Sequence, residues 1–102
     1  EYDLREALSD ADVVMGLRMQ LERMEEGLFP SLEEYSKHYV LSKDTIQYAK
    51  KDALIMHPGP MNRGVEILPE IADSSHSIIV EQVANGVAVR MALMFLILGG
   101  KL

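Results

Sequence analysis

Residues 53–66 read A-L-I-M-H-P-G-P-M-N-R-G-V-E. A short apolar run, Ala53 to Met56, is followed at once by His57, by Pro58 and Pro60 around Gly59, and by Asn62, Arg63 and Gly64, which is the pattern of a buried strand ending in a stiff polar loop. Each proline fixes its own φ, lacks an N–H and drives the preceding residue toward extended geometry, so the segment is rigid and its carbonyls face outward. Gly59 has no Cβ, which lets a ligand approach the main chain closely. In open parallel sheets ligands sit at the carboxyl ends of strands, so this loop is a candidate site. A plain strand-to-helix turn has the same composition, because Pro, Gly and Asn dominate turns.

Working outward, residues 12–17 form a second apolar run with two valines, ended by Arg18 and Gln20. That is the pattern of a parallel strand covered on both faces, and its polar residues come where the strand runs out. Helical sequence lies between the two runs. Ser31 caps a short helix with Glu34 at the capping-box position, and Ser42 caps a helix predicted over 43–51, with Ile46 and Ala49 facing inward. Residues 1–11 read as the end of a helix with no cap before it, broken by Ser9 and Asp10. Residues 21–30 are charged and irregular, with Glu25 and Glu26 on a solvated face and Gly27 and Pro30 flanking Leu28 and Phe29. After the loop, 67–73 is a turn or short helix. A final helix from about residue 78 is apolar on more than one side, so burial on more than one side is expected, and Gly99 and Gly100 stop it. Asn85 and Gly86 allow close packing or a slight kink there. The whole predicts an α/β fold with the strands 12–17 and 53–56 parallel, so that Arg18 and the Pro58 loop open on one edge.

A chain of 102 residues has room for one small domain with a thin stability margin. The net charge of -6, with scattered basic residues, argues against a nucleic-acid partner. The sequence has no cysteine, so no disulfide or thiolate metal site is available. His38 and His76 have no second ligand at metal spacing, so no function is assigned to them. Seven methionines at apolar spacing suggest core filling. The C-terminal apolar run reads as too short to cross a bilayer and contains Arg90, so no membrane partner and a cytoplasmic location are expected.

The string His57-Pro58-Gly59-Pro60-Met61-Asn62-Arg63-Gly64-Val65-Glu66 resembles the signature near the C-terminus of aspartate carbamoyltransferase catalytic chains. Leu17-Arg18-Met19-Gln20-Leu21-Glu22-Arg23 is similar to the family's R-x-Q-x-E-R element, and residues 81–92 are similar to its closing helix. Together these segments span nearly the whole chain. The resemblance implies a partial Rossmann-like parallel sheet with flanking helices and a long C-terminal helix. It divides the chain into 1–77, the C-terminal part of the aspartate-binding domain, and 78–102, a helix that in the family packs back on the carbamoyl phosphate domain.

By the same resemblance, Arg18 and Gln20 hold L-aspartate, and the main chain of Pro58, Gly59 and Pro60 accepts hydrogen bonds from the amide of carbamoyl phosphate. On residues alone, the favoured reading of Arg18 is a surface arginine paired with a residue such as Glu22, and it is the resemblance that turns it toward substrate. His57 is read as anchoring the loop rather than as catalytic, because the family's carbonyl-polarising histidine belongs to another segment. Arg63 and Glu66 are read as partners shaping the loop, with Glu22 and Arg23 doing similar work, and the loop over 21–30 as closing on substrate. The implied reaction carbamoylates L-aspartate in pyrimidine synthesis with no metal or organic cofactor, in a homotrimer with possible regulatory or other pathway chains. The family's Ser-x-Arg-Thr phosphate-binding element does not occur in this sequence, so an N-terminal domain is expected upstream and the chain is expected to be inactive alone. A ligand-binding or interaction module of the same fold is the alternative. An ornithine carbamoyltransferase relative is another, although there Cys follows the loop histidine whereas Pro58 follows His57 here.

Overall fold

A computed structural model describes residues 1–20 and 31–101. Its sheet is parallel: β1 (Val13–Met15) and β2 (Leu54–Met56) pair with Val13 opposite Leu54, Val14 opposite Ile55 and Met15 opposite Met56. On the other edge of β2, the Ile55 N–H donates to the His76 carbonyl at 2.9 Å and the Ile55 carbonyl accepts from Ile78 at 3.0 Å. Helix α1 (Leu4–Leu8) precedes β1; α2 (Leu32–Tyr39) and α3 (Lys43–Ile46) lie between the strands; α4 (Pro69–Ala72) and α5 (Ile79–Ile97) follow β2. The α/β class and the parallel pairing are therefore those expected from the alternation of apolar runs and helical sequence.

The core is small. Leu8, Val14, Leu41, Ile55, Ile67, Ile71 and Ile79 are buried together with three alanines. Val14 and Ile55 share one face of the pleat and belong to this core, whereas Val13, Met15 and Leu54 on the other face are 42–50 % exposed. This corrects the expectation of a strand covered on both faces, since the described residues leave the Val13 and Met15 side half-exposed. Methionine does not fill the core as expected either: Met61 packs against it, but Met15, Met91 and Met94 are exposed.

Two helix ends differ from the sequence reading, those of α1 and α3, and the end of α5 agrees with it. Helix α1 has its own cap, since the Asp3 carboxylate accepts from the Arg5 N–H at 2.7 Å. Helix α3 stops at Ile46 rather than Lys51. A Ser42–Thr45 capping box starts it, but the Tyr48 and Ala49 amides then bond back only three residues, to Thr45 and Ile46, and the tightened turn carries the Lys50 N–H onto the Ala11 carbonyl at 3.1 Å. Helix α5 is unbroken through Asn85 and Gly86 and ends in a Schellman motif: Gly99 has φ 88°, its N–H bonds Leu96, and the Gly100 N–H bonds Phe95.

Helix α5 stands largely clear of the fold, which corrects the expected burial. Ile79 alone of its described residues is buried, and Val80, Met91, Met94 and Ile97 are 62–84 % exposed. The radius of gyration is accordingly 16.3 Å, against about 13 Å for a compact chain of this length. By length and composition α5 is also able to cross a membrane, contrary to the sequence reading; a helix that packs inside a protein passes the same test.

Candidate functional site

The site is built where the two strands end. The Gly16 N–H extends the pairing by one bond to the Met56 carbonyl at 3.0 Å. A Cβ on Gly16 would lie 3.3 Å from Cδ2 of His57, so the glycine permits the close approach of the two strand exits. Beyond it, Leu17 to Gln20 leave β1, while His57 to Pro60 leave β2.

His57 is fully buried and sets the loop geometry. Its own N–H donates to Oε1 of Gln82 on α5 at 2.9 Å, and its Nδ1 accepts from the Gly59 N–H at 2.9 Å. Nδ1 is therefore the unprotonated nitrogen, so Nε2–H donates to Oε1 of Glu66 at 3.2 Å. The same carboxylate oxygen accepts from the Asn62 N–H at 2.6 Å. Glu66 is 3 % exposed, and its Oε2 has no hydrogen-bond partner among the described residues. With both ring nitrogens engaged, His57 holds the main chain and has no free nitrogen for proton transfer.

Gly59 takes φ 64°, and the Gly59–Pro60 peptide is cis. The Asn62 side-chain amide donates to the Met19 carbonyl at 2.9 Å, tying the loop after β2 to the segment after β1. Leu17, Arg18, Met19, Gln20, Tyr35, Pro58, Gly59 and Pro60 thus line a single cleft of about 650 Å³. Arg18 and the prolines open on the same edge.

Arg63 and Glu66 do not pair with each other, which corrects the sequence reading. Arg63 makes a two-pronged contact with Asp73 at 2.8 and 2.9 Å on the surface, while Glu66 turns into the core toward His57. The Asp73 hydrogen bond holds the guanidinium proton more tightly, raising the Arg63 pKa, and the same bond lowers that of Asp73. Burial, and then the charge of Glu66, raise the pKa of Tyr35, so it stays a neutral hydroxyl. Glu22 and Arg23, with the rest of the 21–30 loop, lie outside the described residues. Among the described residues no cluster of three acidic or histidine side chains is placed to hold a metal.

Sequence reading missed Gln82, Tyr35, Asn62 and Asp73. Gln82 lies 25 residues from His57 on an apolar helix, and only the fold brings the two together. The link from Asn62 to Met19 spans 43 residues and likewise leaves no local signal.

The family model for the Asp/Orn-binding domain of aspartate/ornithine carbamoyltransferases matches residues 1–97. Among curated proteins, the chain is 62 % identical over 98 residues to the aspartate carbamoyltransferase catalytic subunit of Syntrophus aciditrophicus, covering 96 % of this chain and 32 % of that protein. It is 58 % identical over 99 residues to the subunit of the same name from Syntrophomonas wolfei, again covering 97 % of this chain and 32 % of the relative. Among solved structures, ornithine carbamoyltransferase from Pyrococcus furiosus superposes with a TM-score of 0.79 at 29 % identity, over 98 % of this chain and 32 % of that one. The chain thus spans about a third of the length of these relatives. With a family match that runs through both strand exits and the helix after them, the chain belongs to the aspartate/ornithine carbamoyltransferase family, within its Asp/Orn-binding domain.

Proposed function

We propose that this chain supplies the L-aspartate side of an aspartate carbamoyltransferase active site. The reaction joins the amine of L-aspartate to the carbonyl carbon of carbamoyl phosphate; the carbon–oxygen bond to phosphate breaks, and N-carbamoyl-L-aspartate and phosphate leave. The observation that carries this reading is the single cleft in which Arg18 and Gln20 meet the Pro58-Gly59-Pro60 main chain. Arg18 offers a planar fork that matches a carboxylate, and Gln20 adds a neutral amide beside it. The carbonyls of the proline loop accept from the carbamoyl nitrogen without adding charge near a phosphate, and the His57 bonds hold them in place. Such an arrangement acts by orienting two reactants rather than by proton transfer.

Aspartate is favoured over ornithine because a guanidinium in the cleft attracts a side-chain carboxylate and repels an ammonium. The names of the relatives at 58–62 % identity point the same way. Phosphate binding is assigned to the part of the relatives' length that this chain does not span, and the exposed face of α5 fits the role of packing on such a part. A cytoplasmic homotrimer, with or without regulatory chains, belongs to the same proposal.

The test is a chimera in which these 98 residues replace the matching segment of the Syntrophus aciditrophicus subunit. It is expected to form N-carbamoyl-L-aspartate from L-aspartate and carbamoyl phosphate. Arg18→Ala in it should raise the KM for aspartate far more than that for carbamoyl phosphate. An inactive chimera that folds like its parent, or one that takes L-ornithine instead, would overturn the assignment and favour a non-catalytic module or the ornithine enzyme.

A further inference from the structure

One lining residue of the cleft comes from neither strand exit. Tyr35 sits on α2, and besides lining the cleft together with Arg18 and Gly59 it lines a second cavity of about 330 Å³ with Val14, Leu41 and Glu66. A side chain that borders both spaces is the partition between them. We propose that Tyr35 is a positioning residue for the amino-acid substrate, its ring forming the back wall of the cleft and its hydroxyl donating to the carboxylate that Arg18 holds. This inference rests on the reading of the cleft as a dicarboxylic amino-acid site.

Two features preset that ring. Helix α2 is capped by Ser31, whose Oγ accepts from the Glu34 N–H at 3.1 Å, and it is tied to the proline loop by Ser36 Oγ donating to the Gly64 carbonyl at 3.4 Å. The Tyr39 ring lies one helical turn on, with centroids 5.3 Å apart and planes tilted by 37°, and restricts where the Tyr35 ring can swing. A wall fixed before ligand arrives costs little ordering when it binds.

The chemistry of the hydroxyl fits an anionic ligand. Burial of the Tyr35 hydroxyl, and after it the charge of the buried Glu66 carboxylate, disfavours a phenolate and keeps the side chain a hydrogen-bond donor. A neutral donor beside Arg18 adds a charge-assisted bond to a carboxylate without changing the charge of the site.

In the chimera, Tyr35→Phe keeps the ring and removes only the oxygen. The KM for L-aspartate is expected to rise about ten-fold, the loss typical of one hydrogen bond to a charged group. The KM for carbamoyl phosphate, kcat and the melting temperature are expected to stay at the parent's values. A Tyr35→Phe chimera with the parent's aspartate KM would overturn the proposal, as would one that loses kcat and thermal stability with aspartate KM unchanged, which is the signature of a structural role. The Arg18→Ala control separates the two readings: if Arg18 matters to aspartate and Tyr35 does not, this inference alone falls, and if neither matters the aspartate assignment falls with it.

Discussion

Replacing Glu66 by alanine removes the carboxylate that anchors both His57 and Asn62 of the proline loop. Its Oε1 is the acceptor for two donors, the fully buried His57 Nε2–H at 3.2 Å and the part-buried Asn62 N–H at 2.6 Å. Each donor left unsatisfied in the interior costs about 1–3 kcal/mol. The vacated space adds a packing loss of about 1 kcal/mol. Against these stands the relief of a buried carboxylate whose second oxygen has no partner among the described residues. The balance is a destabilisation of about 3 kcal/mol, a large fraction of the 5–10 kcal/mol expected of a domain this small. With a urea slope of roughly 1.5 kcal/mol/M, the midpoint of unfolding of the chain should fall by about 2 M at unchanged slope. Glu66→Gln keeps an acceptor at Oε1 and should cost only about 1 kcal/mol, the weakening expected when a charged acceptor becomes neutral. Amide exchange at Gly59 should quicken in the alanine variant, because its hydrogen bond to Nδ1 depends on a fixed imidazole. A Glu66→Ala chain with the parent's urea midpoint and a protected Gly59 amide would show that the loop is held by something other than this carboxylate.

Two other outcomes follow from the surface of the molecule. Arg63 holds the Asp73 pKa below its unfolded value, so the pair's stabilisation is present above the unfolded value and disappears as pH falls through the folded one; urea midpoints should show an acid step that Asp73→Asn lacks, and matching profiles would discount the pair. The apolar faces of α5 are expected to make the chain self-associate in a concentration-dependent way during sedimentation, with Val87→Glu and Met94→Glu together shifting it toward monomer; a monomer at all concentrations would remove α5 as a sticky surface.

Much of the fold was legible in local sequence because the signals are short-range. The run Ala53 to Met56 followed by two prolines shows both where β2 ends and that a stiff loop follows, since a proline's restriction acts on its own residue and the one before. Ser31 and Ser42 announce the starts of α2 and α3 through bonds that reach three residues, and Gly99 announces the end of α5 through its φ of 88°. The juxtaposition of Arg18 with Gly59 was readable as well, because parallel pairing alone puts two consecutive strand ends on one edge.

What sequence could not supply is anything decided by contacts between distant segments. Whether Val13 and Met15 are covered depends on which helices reach that face, and apolar residues read the same whether buried or bare. Arg63 had Glu66 three residues away and Asp73 ten away; the fold buried the glutamate and left the aspartate beside the guanidinium, because the core needed an acceptor for His57 and the surface did not. Gln82 and Tyr35 entered the site from helices whose own patterns show only capping and apolar spacing. The sequence by itself determined the strands, the caps and the rigid loop, all local consequences of dihedral restriction and hydrogen bonds a few residues long. Only the tertiary structure decided which polar groups meet, because a hydrogen bond spanning 25 or 43 residues leaves no periodicity in the chain to be read.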